Sequence, residues 1–335
     1  METPKGTVVS ERVTSRVLEG NLPGDPHIRD LYLYLPPGYG QGSERYPVAW
    51  CLSGFTGRGR MLLNDNPWSP GIADRMDALL AEGRAKPMIL ALPDCFTHVG
   101  GSQYVNSPAL GRYEDHVIEE LVPYVDSRFR TLAQPSHRGV IGKSSGGYGA
   151  LMLGMRHPDV FGALVCHSGD LLFEYCYKRD FGPALRAIRK EGDVEAWLRK
   201  FRSSPRKTHE GIMALNIIAM AAAYSPNAGA PPAYCDLPFD LTTGVIDENV
   251  WKRWLAWDPL TMLDRHAAAL RKLRLLYLDC GREDEFYLEL GARSFVQRLL
   301  TLGIPHEYEE FEDGHMNISY RMDVSLPKLS NALAR

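Results

Sequence analysis

The chain has 335 residues, with 38 lysines and arginines against 41 aspartates and glutamates, for a formal net charge of −3. Without a surplus of basic charge it is poorly suited to nucleic acid or an anionic membrane surface, and a small substrate without strong charge is the expected partner. No apolar run approaches the roughly 20 residues of a membrane helix, and "METPKGTVVSERVTSR" lacks the apolar segment of a secretory leader, so the reading is a cytoplasmic protein with no membrane span.

In chain order, Leu31, Leu33 and Leu35 alternate with Tyr32 and Tyr34 before the turn signal "PPGYG", as in a strand with two packed faces or an edge strand. Three continuous apolar runs of strand length follow: "YPVAWCLSG", "KPMILALPD" and "RGVIG". Runs without alternation suit strands covered on both faces, hence a parallel central sheet. Between the last two, Ile118, Leu121, Val122 and Val125 recur at helical spacing, with Pro123 marking a kink or a late helix start. "FGALVCHSG", "RLLYLDCG" and "PHEYEEF" predict three further strands, and Ala292, Phe295, Val296 and Leu299 predict a helix before the last of them. Strands alternating with helices give an α/β fold, taken as a single domain over residues 1–335.

The interval from about Asp170 to Asp264 differs in composition. It holds Trp197, Trp251, Trp254 and Trp257 and a proline-rich loop from Pro226 to Pro238. It reads as a cap or insertion of helices and loops between two late strands. Its apolar segment "GIMALNIIAMAAAYS" is too short to span a membrane and suits a buried or cap helix. The six cysteines are scattered, without a CxxC pair, and read mostly as buried thiols.

"GKSSGG" sits between a strand and a helix, where G-x-S-x-G would form a sharp elbow with the central serine projecting above the sheet. Centring on Ser144 places Gly142 and Gly146 at the crowded flanking positions. Centring on Ser145 would place Lys143 at one of them, so Ser144 is the candidate nucleophile. The backbone N–H of Ser145, at the helix start, would then form half of an oxyanion hole. A serine hydroxyl needs an imidazole to take its proton and a carboxylate to fix the imidazole's tautomer. His315, after Gly314 and the last strand, is the candidate base. Asp279, Glu283, Asp284 and Glu285 compete for the acid. Asp279 falls inside a strand and reads as buried structure, while Asp284 on the following loop is the first choice and Glu283 the second. His167 precedes the acids and breaks the expected order, and the remaining histidines show no HExxH or H-x-H spacing, so no metal and no cofactor is expected. The second oxyanion donor is expected from the loop "SGFTGRG", at the N–H of Phe55.

Together, "YLPPGY", "LSGFTG", "GRYEDHVIEELVPYVDSRF", "GKSSGGYGAL", "CGREDEF" and "FEDGH" resemble the esterase group of the α/β-hydrolase superfamily, which takes in esterase D / S-formylglutathione hydrolase, feruloyl esterases, enterochelin esterases and mycolyltransferases. The resemblance implies an α/β-hydrolase fold, Ser144 as nucleophile, Asp284 as acid, His315 as base, and Phe55 and Ser145 as oxyanion donors. It departs from S-formylglutathione hydrolases at Lys143, Ser145 and Gly57, and in the long insertion. The expected activity is that of a serine carboxylesterase. Acyl transfer, thioester or amide cleavage on the same residues is the alternative chemistry, and a non-catalytic ligand-binding protein is the alternative class. Tyr104, Tyr234 and Trp254 are expected to wall the substrate pocket, although aromatics of the insertion could equally cover a neighbouring subunit in a homo-oligomer.

Overall fold

A computed structural model describes residues 4–334, so the first three residues of the stretch read for a leader lie outside it. One eight-stranded sheet organises the chain: β1 (Thr7–Thr14), β2 (Ile28–Leu35), β3 (Val48–Leu52), β4 (Ile89–Pro93), β5 (Arg138–Lys143), β6 (Ala163–His167), β7 (Leu275–Gly281) and β8 (Glu307–Phe311). Their spatial order is β1-β2-β4-β3-β5-β6-β7-β8. The pairs β1–β2 and β2–β4 are antiparallel and all the others parallel, so the sheet is mostly parallel. This is the α/β-hydrolase fold.

The central strands read as unbroken apolar runs because both faces are covered. Val48 and Trp50 enter the core on one face, and Ala49 and Cys51 the core on the other. The same alternation splits β2, with Leu31 and Leu33 on the first face and Tyr34 on the second. The second face is sealed by α1 (Ile72–Ala81), through Ile72, Met76 and Leu79, and by the C-terminal helix through Leu326, Leu329 and Leu333. β1 was not foreseen. Only Val13 of its eight residues is buried, so the hydrophobic alternation that would signal a strand is nearly absent.

The helix expected around Ile118 is interrupted. Residues His116–Leu121 form a π turn, which leads into α2 (Val122–Arg128) with Pro123 in its first turn. The wider turn brings His116 and Val117 fully inside and leaves Ile118 only half-buried. Proline's missing N–H is harmless at a helix start.

From β5 the chain enters α3 (Ser145–Arg156) and returns through β6. Between β6 and β7 lie α4 (Lys178–Glu191), α5 (Val194–Ser203), α6 (His209–Tyr224), α7 (Glu248–Leu255) and α8 (Pro259–Leu270). Side chains of Asp193, Thr208, Asp247 and Asp258 accept backbone N–H groups at the starts of α5 to α8, which explains where those helices begin. No element boundary falls at Asp264, because α8 runs through it. α9 (Leu288–Thr301) and α10 (Met322–Leu333) complete the layers. Among the described residues, no helix is long and apolar enough to cross a membrane.

Candidate active site

Ser144 follows the last residue of β5 and precedes the first of α3, with φ 58° and ψ −128°. That left-handed backbone is costly for a residue with a side chain and persists only where the surroundings enforce it. They do so here by close approach. A Cβ on Gly142 would stand 2.2 Å from the Gly146 carbonyl oxygen, and one on Gly146 would stand 2.3 Å from that of Leu52. The Ser144 N–H donates to the His167 carbonyl at 2.9 Å, tying the turn to β6.

The first N–H groups of a helix have no acceptor within it, and that of Ser145 opens α3. The loop after β3 approaches from the other side. A Cβ on Gly54 would lie 3.4 Å from the Lys143 carbonyl oxygen and 3.6 Å from Ser144 Cβ, so the backbone leading into Phe55 runs beside the serine.

The acid and the histidine come from neighbouring loops. Asp284 Oδ2 and His315 Nδ1 are 2.8 Å apart, and both residues are buried. Asp284 Oδ1 accepts the Phe286 N–H at 2.9 Å, which fixes the carboxylate, and the Phe286 ring meets the His315 ring edge-on at 4.8 Å. Glu285 has a separate task, because its Oε2 accepts the His315 N–H at 2.5 Å. Glu283 is exposed, and its N–H donates to the Asp313 carbonyl at 3.1 Å. The two loops close together because Gly281 has no side chain, where a Cβ would stand 2.3 Å from the Asp313 carbonyl oxygen.

Ser144, His315, Gly54 and Phe55 border one cavity of about 460 Å3. Met61, Leu62, Met316 and Phe286 supply apolar wall, and Lys143 and Glu285 supply charge. The Lys143 ammonium has no hydrogen-bond or ion-pair partner among the described residues, and burial pushes it below the usual lysine range. From the insertion, His209, Ile212, Met213 and Asn216 reach the cavity, all on one face of α6 at helical spacing.

The aromatics expected to wall the pocket lie elsewhere. Trp254 is fully buried, donates from Nε1 to Ser225 Oγ at 2.8 Å and packs edge-on against Tyr177, Phe181 and Tyr224. An indole with its N–H satisfied and fully buried is a core residue, here in the cluster that continues onto the sheet's first face. Tyr234 lies on the proline-rich loop, in left-handed backbone at φ 53°, with its N–H bonded to the Ala230 carbonyl at 2.7 Å, and does not border the cavity. Tyr104 is buried behind the loop after β3 and donates to the Ser53 carbonyl at 2.8 Å, so it supports that loop. The stripe on α6 was missed, although its signal was present: a lone Asn216 in the apolar run from Ile212 to Ala223.

The comparisons agree with this architecture. "Esterase Rv1288" of Mycobacterium tuberculosis is 34% identical over 264 residues, covering 75% of this chain and 46% of that protein. "Endo-1,4-beta-xylanase/feruloyl esterase" of Xylanibacter ruminicola is 30% identical over 138 residues, 39% of this chain and 18% of its own. The chain thus spans less than half the length of either relative. Among solved structures, a ferulic acid esterase superposes with a TM-score of 0.61 at 21% identity, over 98% of this chain and 99% of its own. S-formylglutathione hydrolase (FrmB) of Staphylococcus aureus gives 0.58 at 15% identity, over 98% and 99%. The family described as "Putative esterase" matches residues 26–325, nearly the whole chain, and the protein belongs to that family.

Proposed function

We propose that the protein is a serine esterase acting on small carboxylic esters. The observation that carries this reading is the 2.8 Å contact between His315 Nδ1 and Asp284 Oδ2, with His315 and Ser144 bordering one cavity. With Nδ1–H held by the carboxylate, the imidazole presents Nε2 as a base. Ser144 Oγ attacks the ester carbonyl carbon as its proton passes to His315 Nε2. The carbonyl oxygen gains negative charge facing the N–H groups of Phe55 and Ser145. The carbon–oxygen bond to the alcohol breaks as His315 returns the proton to the leaving oxygen, and an acyl-serine remains. Water, deprotonated by His315, attacks that acyl group and releases the acid and Ser144.

Membership of the esterase family and esterase relatives support ester bonds as the target. The apolar wall of Met61, Leu62, Met213 and Phe286 suits an apolar or aromatic alcohol part. The test is hydrolysis of a panel of alkyl, aryl and feruloyl esters by the wild type and Ser144→Ala, with mass spectrometry after a fluorophosphonate probe. A single phosphonate on the peptide holding Ser144, and a Ser144→Ala protein inert to every ester, is the expected result. Equal ester cleavage by the variant would overturn the assignment.

A further inference from the structure

Beside Ser144 the site has a second, smaller compartment, a recess of about 40 Å3 bordered by Ser144, Ser145, Asp170, Tyr177, Asp180 and Asn216. His315 borders the main cavity but not the recess. The leaving alcohol must lie within reach of the imidazole that protonates it, which assigns the alcohol to the main cavity. The acyl group extends from the same carbonyl carbon to the other side, into the recess. Its volume holds roughly two or three water-sized groups, enough for an acyl chain of about two atoms beyond the carbonyl.

Cys176, Phe286 and Leu288 give the recess an apolar side, but most of its lining is polar, unlike an acetyl or propionyl pocket walled throughout by apolar side chains. It presents acceptors. Asp170 is buried, and its Oδ2 already takes the Tyr177 hydroxyl at 2.8 Å and the Gln103 amide at 3.4 Å, which aligns the carboxyl. Among the described residues Asn216 Oδ1 is buried with no hydrogen-bond partner, and Asn216 borders both compartments. An unmet buried acceptor costs about 1–3 kcal/mol, so one retained in a helix otherwise built of apolar residues on that turn implies a donor brought by something else.

We propose that the recess is an acyl subsite for short acyl groups carrying a hydrogen-bond donor, a hydroxyl or an ammonium, on the carbon next to the scissile carbonyl, with Asp170 and Asn216 as its acceptors. This rests on the esterase reading above. Both donors share the same contact, and the acidic lining accepts either.

The experiment uses three ethyl esters with equal numbers of non-hydrogen atoms: propionate, glycolate and the glycine ester. kcat/KM is measured for each with the wild type, Asp170→Asn and Asn216→Leu, folding being checked by circular dichroism. Differences in intrinsic ester reactivity are the same for every protein and cancel when the glycolate-to-propionate and glycine-to-propionate ratios are compared. The expected result is a fall of about ten-fold or more in at least one ratio in both variants, a size typical of losing a buried polar contact to substrate. The arm that falls identifies the donor as hydroxyl or ammonium. Ratios unchanged in both variants would overturn the proposal. If Asn216→Leu fails to fold, Asn216→Ala gives the same reading, and if Asp170→Asn fails, the ratios of the Asn216 variant alone decide. A wild type no faster than Ser144→Ala on all three esters would instead overturn the esterase reading itself.

Discussion

Asp279 and Asp284 stand five residues apart and hold two different histidines, His167 at 2.6 Å and His315 at 2.8 Å. The Asp279 group repeats the chemistry of the site, because His167 Nε2 lies 2.9 Å from Ser325 Oγ, yet His167, Asp279 and Ser325 are each at most 2% exposed and no substrate reaches them. Asp279 also takes Arg321 Nε at 2.9 Å. The two aspartates should therefore fail differently. Asp284→Asn is expected to lower kcat on the order of 10³-fold or more with a near-native melting temperature. Asp279→Asn leaves Arg321 without its buried partner and should cost about 3–5 kcal/mol of stability, while the folded fraction keeps most of its kcat. Thermal melts beside steady-state rates separate the two, and a crossed pattern would exchange the roles assigned here.

The mechanism proposed above uses only the backbone N–H of Ser145, so Ser145→Ala should retain most ester hydrolysis. Gly142→Ala and Gly146→Ala bring a methyl group against a carbonyl oxygen that belongs to the turn or to β3. Both are expected to be recovered in poor soluble yield, with any folded protein nearly inactive. A well-folded, active Gly142→Ala would mean that the tight turn is not what presents Ser144.

The insertion divides its work between packing and contact. Trp254→Ala should cost about 3–5 kcal/mol by emptying a filled core position and should leave the preference between short and bulky esters as it was. Met213→Ala widens the main cavity and is expected to shift that preference by about 1–2 kcal/mol of discrimination, read as the ratio of kcat/KM values across an alcohol series. If Trp254→Ala were the variant that changed selectivity, the walls of the pocket would have to be reassigned.

Burial pushes the Asp170 carboxyl up to about 6 from 3.8, against smaller opposing contributions from Tyr177, His315 and Gln103. The folded protein thus holds this proton more tightly than the unfolded chain, so the group's contribution to stability falls as pH rises from about 4 through about 6. Asp170→Asn removes the burdened charge. It should raise the melting temperature at pH 8, by an amount corresponding to roughly 1–3 kcal/mol, and the gain should vanish near pH 4. Melts across that range check the sign, and a variant less stable than the wild type at pH 8 would refute it.

Much of this was legible in the sequence because local signals and tertiary structure coincide. The unbroken runs at Val48–Leu52, Ile89–Pro93 and Arg138–Lys143 are strands because both faces are covered. The glycines around Ser144 mark backbone approaches that no other residue permits. The pocket walls were less legible. Tryptophans stood out by size, but large rings with a satisfied N–H also suit a packed core, and three-dimensional packing alone tells a core tryptophan from a pocket tryptophan. What lines the cavity is the inconspicuous face of α6, where Ile212 and Met213 look like any core residues. The recess was hidden for the same reason: Asp170, Tyr177 and Asn216 meet only when α4 and α6 are laid over the end of β6.

The strand that delivers His315 is the outermost of the sheet, and none of the five residues of β8 is fully buried. Its outward carboxylates are held by Lys328, Arg321 and Arg293 at 2.6 to 2.7 Å. Of these Arg321 is buried, but a solvent-accessible pair such as Lys328–Glu307 adds little and weakens as salt rises. Sub-global opening is easiest where few buried contacts hold an element. Ser144, by contrast, follows β5, in the middle of the sheet. The site is thus assembled from parts of unequal durability, and under mild denaturant or high salt His315 should be lost from it before Ser144. Ester hydrolysis should fade at a lower denaturant concentration than the tryptophan fluorescence of the folded core, and should return on dilution as fast as one edge strand can dock again.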